Sequence, residues 1–488
     1  MDELRDASDS RASARRIARN TVVRSVGEII GKIATLAMFV VMARKLGPVG
    51  FGEITFAVAL TGQLLYIFGF GVDMILTREV ARNPSQLGAF MGNTLVLKSL
   101  ATIPALLIAA AVVEFGGYSH EARLATYLIG VSVAIDTIEN AWNAAFQAHE
   151  RLEFVSAAVV LQRVGTGGLA VAVLAAGGGV IPVSGMFLVT SVATLLLAMW
   201  LLRFVASPVW SVRRSGLLPL LRAGLPVGLA VLLFTVLLRL DTVLLSLLTN
   251  NRKVGIYGAA YRLFESTMFL SWSLGAAIFP WFSRKHVESH AQLARGYEVG
   301  LAVILALLTP IGVAFVLLAE PIIHLIYGAT YDAAVTPLRL LGVVVVAFGV
   351  NTLTNATLVA HDRPRLMHRI LLLTVIQNIG MNLVLIPPYG PTGAALTAAV
   401  SGLLLGTLSI WQAVAALGYV RPTRVFIAPA AGACAMALVI VLLHNALVEG
   451  LALGGAAYLA GLLLVERTFF PDDFSRLLAL ARFRPKNA

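Results

Sequence analysis

The chain has 488 residues, 58% of them hydrophobic and 13% charged, with a mean hydropathy of +0.86. Soluble domains carry about 25% charged residues, so a water-soluble fold is excluded and a membrane-embedded one is expected. The net charge of +12 does not indicate nucleic acid, because the basic residues sit in short segments between apolar runs, which is a topology signal.

Residues 1–21 form a polar tail with Arg11, Arg15, Arg16 and Arg19 near the expected membrane edge. A span needs about 20 apolar residues. On that rule fourteen transmembrane helices are expected, at 22–44, 52–76, 89–113, 122–146, 154–177, 181–204, 223–248, 255–282, 297–319, 334–360, 367–387, 391–417, 425–448 and 451–470. The first carries Arg24, Glu28 and Lys32, four residues apart. Each step of four rotates a helical side chain by about 40°, so the three share one face. A charge at mid-span disfavours insertion by about 2.5–3.5 kcal/mol, and such a face must look away from lipid. It is read as the wall of a transport pathway, against the alternative of a salt-bridge ladder between helices.

Further along lie Lys98 in the third span, Asp136 and Glu139 in the fourth, Arg163 in the fifth, Arg239 and Asp241 in the seventh, Arg262 and Glu265 in the eighth, and Arg339 in the tenth. Asp136/Glu139 and Arg262/Glu265 have the i,i+3 spacing of helix neighbours. Basic groups in a low-dielectric cavity suit an anionic headgroup; this role falls to Arg24, Lys32, Arg239 and Arg262, with Lys98, Arg163 and Arg339 behind them. Glu28, Asp136, Glu139, Asp241 and Glu265 are candidates for coupling to an ion or proton. Asn351, Asn355, Gln377, Asn378 and Asn382 accompany them as amides in the tenth and eleventh spans.

Placing the N-terminus in the cytoplasm puts most of the 37 Lys and Arg in cytoplasmic segments, while the opposite loops hold Arg44, Lys45, Arg123, Arg252 and Lys253. The alternation follows the positive-inside rule, and both termini are expected to be cytoplasmic. The chain also repeats itself. NAAFQAHER (Asn143 to Arg151) matches NATLVAHDR (Asn355 to Arg363), VGFGE from Val49 parallels VGIYG from Val254, and Gly185, Leu188 and Val192 parallel Gly393, Leu396 and Val400.

Matches in the same order imply two pseudo-symmetric six-helix lobes, parallel repeats about an axis along the membrane normal and around a central cavity. The expected organisation is an N-lobe at 22–204, a cytoplasmic linker at 205–222, a C-lobe at 223–417, an appended pair of spans within 418–470, and a cytoplasmic tail at 471–488.

No enzyme constellation is evident. GEIIGK (Gly27 to Lys32) lacks the spacer and Ser/Thr of a phosphate loop. His286 and His290 have no companion ligands for a metal, and the single Cys434 forms no intramolecular disulfide. The longest outer loop, about 320–333, has no acid/base set, which disfavours a glycan polymerase or ligase.

RNTVVRSVGEIIGK near the start, ARKLGPVGFGEITFA between the first two spans, LLRLDTVLLSLL followed by VGIYGAAYRLFE in the seventh and eighth, and YGPTGAALTAAVS at the twelfth together carry a family likeness. On them the chain resembles the Wzx-type polysaccharide flippases of the MOP superfamily, whose relatives include MurJ-type lipid II flippases and MATE-type drug exporters. The resemblance implies alternating-access movement of undecaprenyl-pyrophosphate-linked oligosaccharide across the bacterial plasma membrane for surface polysaccharide biosynthesis. It implies no cofactor beyond a Na⁺ or H⁺ gradient, and membrane lipids and polysaccharide assembly proteins as partners. Arg24, Lys32, Arg239, Asp241 and Arg262 stand at the matching positions. A MATE-like cation antiporter and a MurJ-like lipid II flippase are the alternatives.

Overall fold

A computed structural model describes residues 2–69, 71–206, 211–288, 290–360, 364–418, 422–443 and 446–469. Side chains of residues 2–26 lie outside the described residues, and Arg24 with them; so does the C-terminal tail. Among the described residues the secondary structure is helical, without strands. Apolar runs flanked by Gly, Pro and polar residues give α3 (Leu87–Phe115), α4 (His120–Ala148), α5 (Leu152–Ala175), α6 (Val180–Leu202) and α7 (Arg214–Leu248). The later helices are α8 (Asn251–Glu288), α9 (His290–Leu317), α10 (Ala319–Ile326), α11 (Val335–Ala360), α12 (Pro364–Tyr389), α13 (Pro391–Leu417), α14 (Pro422–Leu442) and α15 (Leu447–Phe469).

The start of the chain departs from the expected boundaries. The loop expected between the first two spans is absent. α1 (Asp2–Phe68) runs through it, broken at one residue, Gly47, whose φ of 68° and ψ of 179° only glycine adopts without strain, with Pro48 directly after. The second span, expected at 52–76, ends instead at Phe68, and α2 (Val72–Arg82) follows at a bend of 51°. The outer segment at 320–333 likewise folds into α10 and a short 3-10 helix, Ala329–Ala334.

Ten described helices are long and apolar enough to cross a membrane, or eleven when the bent pair of α1 and α2 is counted as one span. α4 and α8 fall outside that set; they carry Asp136, Glu139, Arg262 and Glu265. Ionisable side chains lower the hydropathy of these two helices.

By packing, the chain divides into residues 1–258 and 259–488. In the first unit α3 packs on α4, α4 on α6, and α5 on α6; in the second α9 packs on α11, α11 on α13, and α12 on α13. The third, fourth, fifth and sixth expected spans therefore meet in the same pairs as the ninth to twelfth. α14 and α15 pack on each other and α14 on α9.

Small residues let these helices approach. Gly312 and Gly342 face each other where α9 meets α11, each within 2.8 Å of the other's carbonyl oxygen once a Cβ is added. Without a hydrophobic force between helices in lipid, such close backbone contact is a principal source of association.

Candidate functional site

The polar core of the first unit is organised by α4. Ser132, Asp136, Glu139 and Asn143 follow at steps of four, three and four, and so line one face. Asp136 neighbours Ser191 on α6 and Gln162 on α5. The Ser132 and Ser191 hydroxyls share a hydrogen bond of 2.8 Å, and Thr166 on α5 meets Thr190 on α6 at 2.7 Å. Glu139 is buried. The Asn143 amide donates to its Oε2 at 2.9 Å, while its Oε1 has no hydrogen-bond partner among the described residues. Asp136, Lys98 and Asp73 are its charged neighbours.

Two ion pairs flank this seam. Lys98 on α3 is 2% exposed, and its Nζ lies 2.6 Å from the carboxylate of Asp73 on α2, which is 35% exposed. The same Nζ donates to the Thr137 carbonyl at 2.5 Å. On the other side, Arg163 of α5 donates from a guanidinium nitrogen to Glu28 Oε2 of α1 at 2.7 Å. Polar groups thus run from α2 through α3, α4 and α5 to α1. A carboxylate or ammonium removed from water costs several kcal/mol unless paired or hydrogen-bonded, so this arrangement meets that cost largely from within the unit.

The glycines of GEIIGK hold α1 against α5. A Cβ on Gly27 would stand 3.3 Å from Ser156 Cβ, and one on Gly31 would stand 2.7 Å from Arg163 Cδ. Gly31 therefore leaves room for the stem of the arginine that reaches Glu28. Substituting Gly31→Ala is expected to displace that flexible side chain at a modest cost, about 1 kcal/mol, and to loosen the Glu28 pair. A cycle with Arg163→Ala checks this: the alanine at 31 should cost little in the Arg163→Ala background, and an undiminished cost would refute the contact.

Elsewhere, Asp241 on α7 is buried and accepts a hydrogen bond from the Tyr257 hydroxyl of α8 at 3.1 Å. Arg239, two residues away, and Lys32 on α1 are each partly exposed. In the second unit Arg262 donates to Glu265 at 2.6 Å within one turn of α8. Arg339 is exposed in the second turn of α11, near the helix end and away from mid-span. The buried polar contacts of the second unit's repeat helices are neutral: Asn351 with Ser409 at 3.1 Å, Asn378 with Ser401 at 3.1 Å, and Asn382 with Asn378 at 3.0 Å.

Among the cations expected at an anionic ligand, Lys98, Arg163 and Arg262 each have a carboxylate partner. The structure also adds residues that sequence reasoning passed over. Asp73 was hidden inside an expected span end; the signal available was Lys98 itself, a buried ammonium that needed a carboxylate. Glu53, in VGFGE, is buried and accepts a hydrogen bond from Ser119 at 2.5 Å, and Ser119 in turn caps α4 by accepting from the Ala122 amide at 3.1 Å. Among the described residues no three His, Cys, Asp or Glu side chains gather as metal ligands.

Two sequence families match this chain. The family described as polysaccharide biosynthesis protein covers residues 17–286. The chain belongs to that family. The family described as lipid II flippase MurJ matches residues 153–460, overlapping the first match.

Among relatives of this chain, AglR of Haloferax volcanii, named as a flippase, is 30% identical over 210 residues, 42% of this chain and 44% of that protein. A second Haloferax volcanii protein, named as a flippase of low-salt glycan biosynthesis, is 24% identical over 33% of this chain and 34% of its own length. The chain thus spans less than half the length of these two relatives. A Shigella flexneri protein named as an O-antigen transporter is 20% identical over 81% of this chain and 97% of its own.

Among solved structures, the inward closed conformation of lipid II flippase MurJ superposes with a TM-score of 0.77 at 14% identity, covering 92% of this chain and 99% of that one. An inward-facing MATE transporter of the MOP superfamily gives 0.67 at 17% identity, covering 81% and 98%. The protein is a multi-pass membrane protein with the MurJ/MATE-like fold.

Proposed function

We propose that this protein is a flippase that moves a lipid-linked oligosaccharide, carried on undecaprenyl pyrophosphate, from the cytoplasmic to the outer leaflet of the bacterial plasma membrane. Membership in the polysaccharide biosynthesis family is the observation that carries the reading. The relatives named as flippase and O-antigen transporter support it, and they favour transport over catalysis. Both termini are cytoplasmic on the positive-inside rule.

In this reading Lys32 and Arg239 attract the pyrophosphate, as point charge and guanidinium fork respectively. Asp136, with its hydroxyl and amide neighbours and no contacting cation among the described residues, is the leading group for coupling to Na⁺ or H⁺.

The test replaces Lys32 and Arg239 with Ala, singly and together, and follows glycan export against the amount of inserted protein. Each single variant is expected to lower export about tenfold or more, the worth of one charge-assisted contact, at unchanged insertion. Wild-type export from the double variant would remove the cationic mechanism. Organic-cation efflux by purified protein in vesicles would instead support the antiporter alternative.

A further inference from the structure

A cavity of about 1110 Å³ opens in the first unit, away from the α4 seam, where the turn between α2 and α3 meets the segment leading into α7. Its lining includes Arg78, Ser85, Asn93, Arg213 and Ser215, with Glu79 as the carboxylate.

The way the chain is laid here leaves donors pointing inward. Asn93 is 5% exposed; its Oδ1 accepts a hydrogen bond from the Arg213 amide at 3.0 Å, and its Nδ2 donates to no group among the described residues. Gly216 passes beneath that amide, where a Cβ would come within 2.5 Å of Nδ2. Arg213 is exposed and has no ion-pair partner among the described residues. Arg78 is held by Glu79, which it approaches to 2.8 Å.

α7 begins at this cavity without a side-chain cap, while α3 continues from a 3-10 turn, Pro84–Gln86, that Asn83 caps. The positive end of α7 therefore adds to the two guanidinium groups. The Asn93 Nδ2 is thus a donor with no protein acceptor among the described residues, and an oxyanion in the cavity supplies one.

We propose that this cavity binds a phosphate group, with Arg213 and Arg78 as guanidinium forks and the Asn93 amide as a neutral donor. Lipid headgroups and soluble phosphate share that chemistry, and the site is separate from the ionised residues of the spans. Its placement against the segment entering α7 gives an anion there direct purchase on the connection between the chain's two repeats.

The test titrates the detergent-purified full chain with short-chain phosphatidylglycerol and, separately, with inorganic phosphate, reading the thermal midpoint. Wild type, Arg213→Gln, Arg78→Gln and a control, Arg203→Gln, are compared; Arg203 lies instead against the Trp200 ring. Stabilisation is expected in wild type, with the half-maximal concentration raised about tenfold in both cavity variants and unchanged in the control. Stabilisation by phosphatidylglycerol alone assigns the site to lipid, and an equal response to inorganic phosphate assigns it to a soluble anion. No stabilisation in wild type, or the same response in all four proteins, overturns the proposal. Because binding is read without transport, failure here leaves the flippase reading standing.

Discussion

Substituting Gly52→Ala is expected to remove most folded protein from the membrane, at a cost of about 3 kcal/mol or more, the upper end for overpacking. Just past the break at Gly47, α1 crosses the first turns of α8 with backbone against backbone. A Cβ on Gly52 would run into the Asn251 carbonyl oxygen, and one on Gly255 into the Pro48 carbonyl. Neither carbonyl can swing aside as a side chain does. Gly258 provides the contrast: its added Cβ meets the Thr55 methyl at 3.0 Å, so Gly258→Ala should cost nearer 1 kcal/mol. Thermal midpoints of Gly52→Ala, Gly255→Ala and Gly258→Ala in detergent check the order, and equal midpoints would show that the crossing is not this close.

The second large effect concerns Lys98 and Asp73, and it is asymmetric. Asp73→Ala leaves a 2%-exposed ammonium hydrogen-bonded to the Thr137 carbonyl with Glu139 as its neighbouring carboxyl, whereas Lys98→Met leaves a carboxylate already 35% exposed. Removing one partner of a buried pair costs about 3–5 kcal/mol, mostly because the other charge stays buried and uncompensated. Asp73→Ala should reach that range, Lys98→Met should fall to about half of it, and the double variant should lose less than Asp73→Ala alone. Unfolding midpoints measure all three. If Lys98→Met proves the more damaging change, burial is not the controlling factor.

What could be read from the sequence follows the range of the interaction concerned. Apolar length placed the spans that match α3, α5, α6, α9 and the helices from α11 to α15, because hydropathy is a local property. The i,i+3 spacing of Arg262 and Glu265 placed them within reach, and they meet at 2.6 Å. Partner choice across the fold was not legible. Arg163 selects Glu28, 135 residues away, and nothing local to either residue names the other.

The Gly47–Pro48 junction misled for a different reason. Basic, glycine and proline residues together are ordinary loop chemistry, yet one left-handed glycine is enough to bend the backbone while helix continues on both sides. The glycines of GEIIGK, legible only as a failed nucleotide motif, are explained by how closely α5 packs.

The contrast between the two repeats has a chemical consequence. Where α4 and α5 meet α6, the first copy carries carboxylates, Asp136 and its neighbour Glu139; where α11 and α12 meet α13, the second carries Asn351 and Asn378. An amide hydrogen-bonds much as an acid does but cannot gain or lose a proton. At these matching joints the first unit thus holds groups that can change charge, and the second, among the described residues, holds amides that cannot.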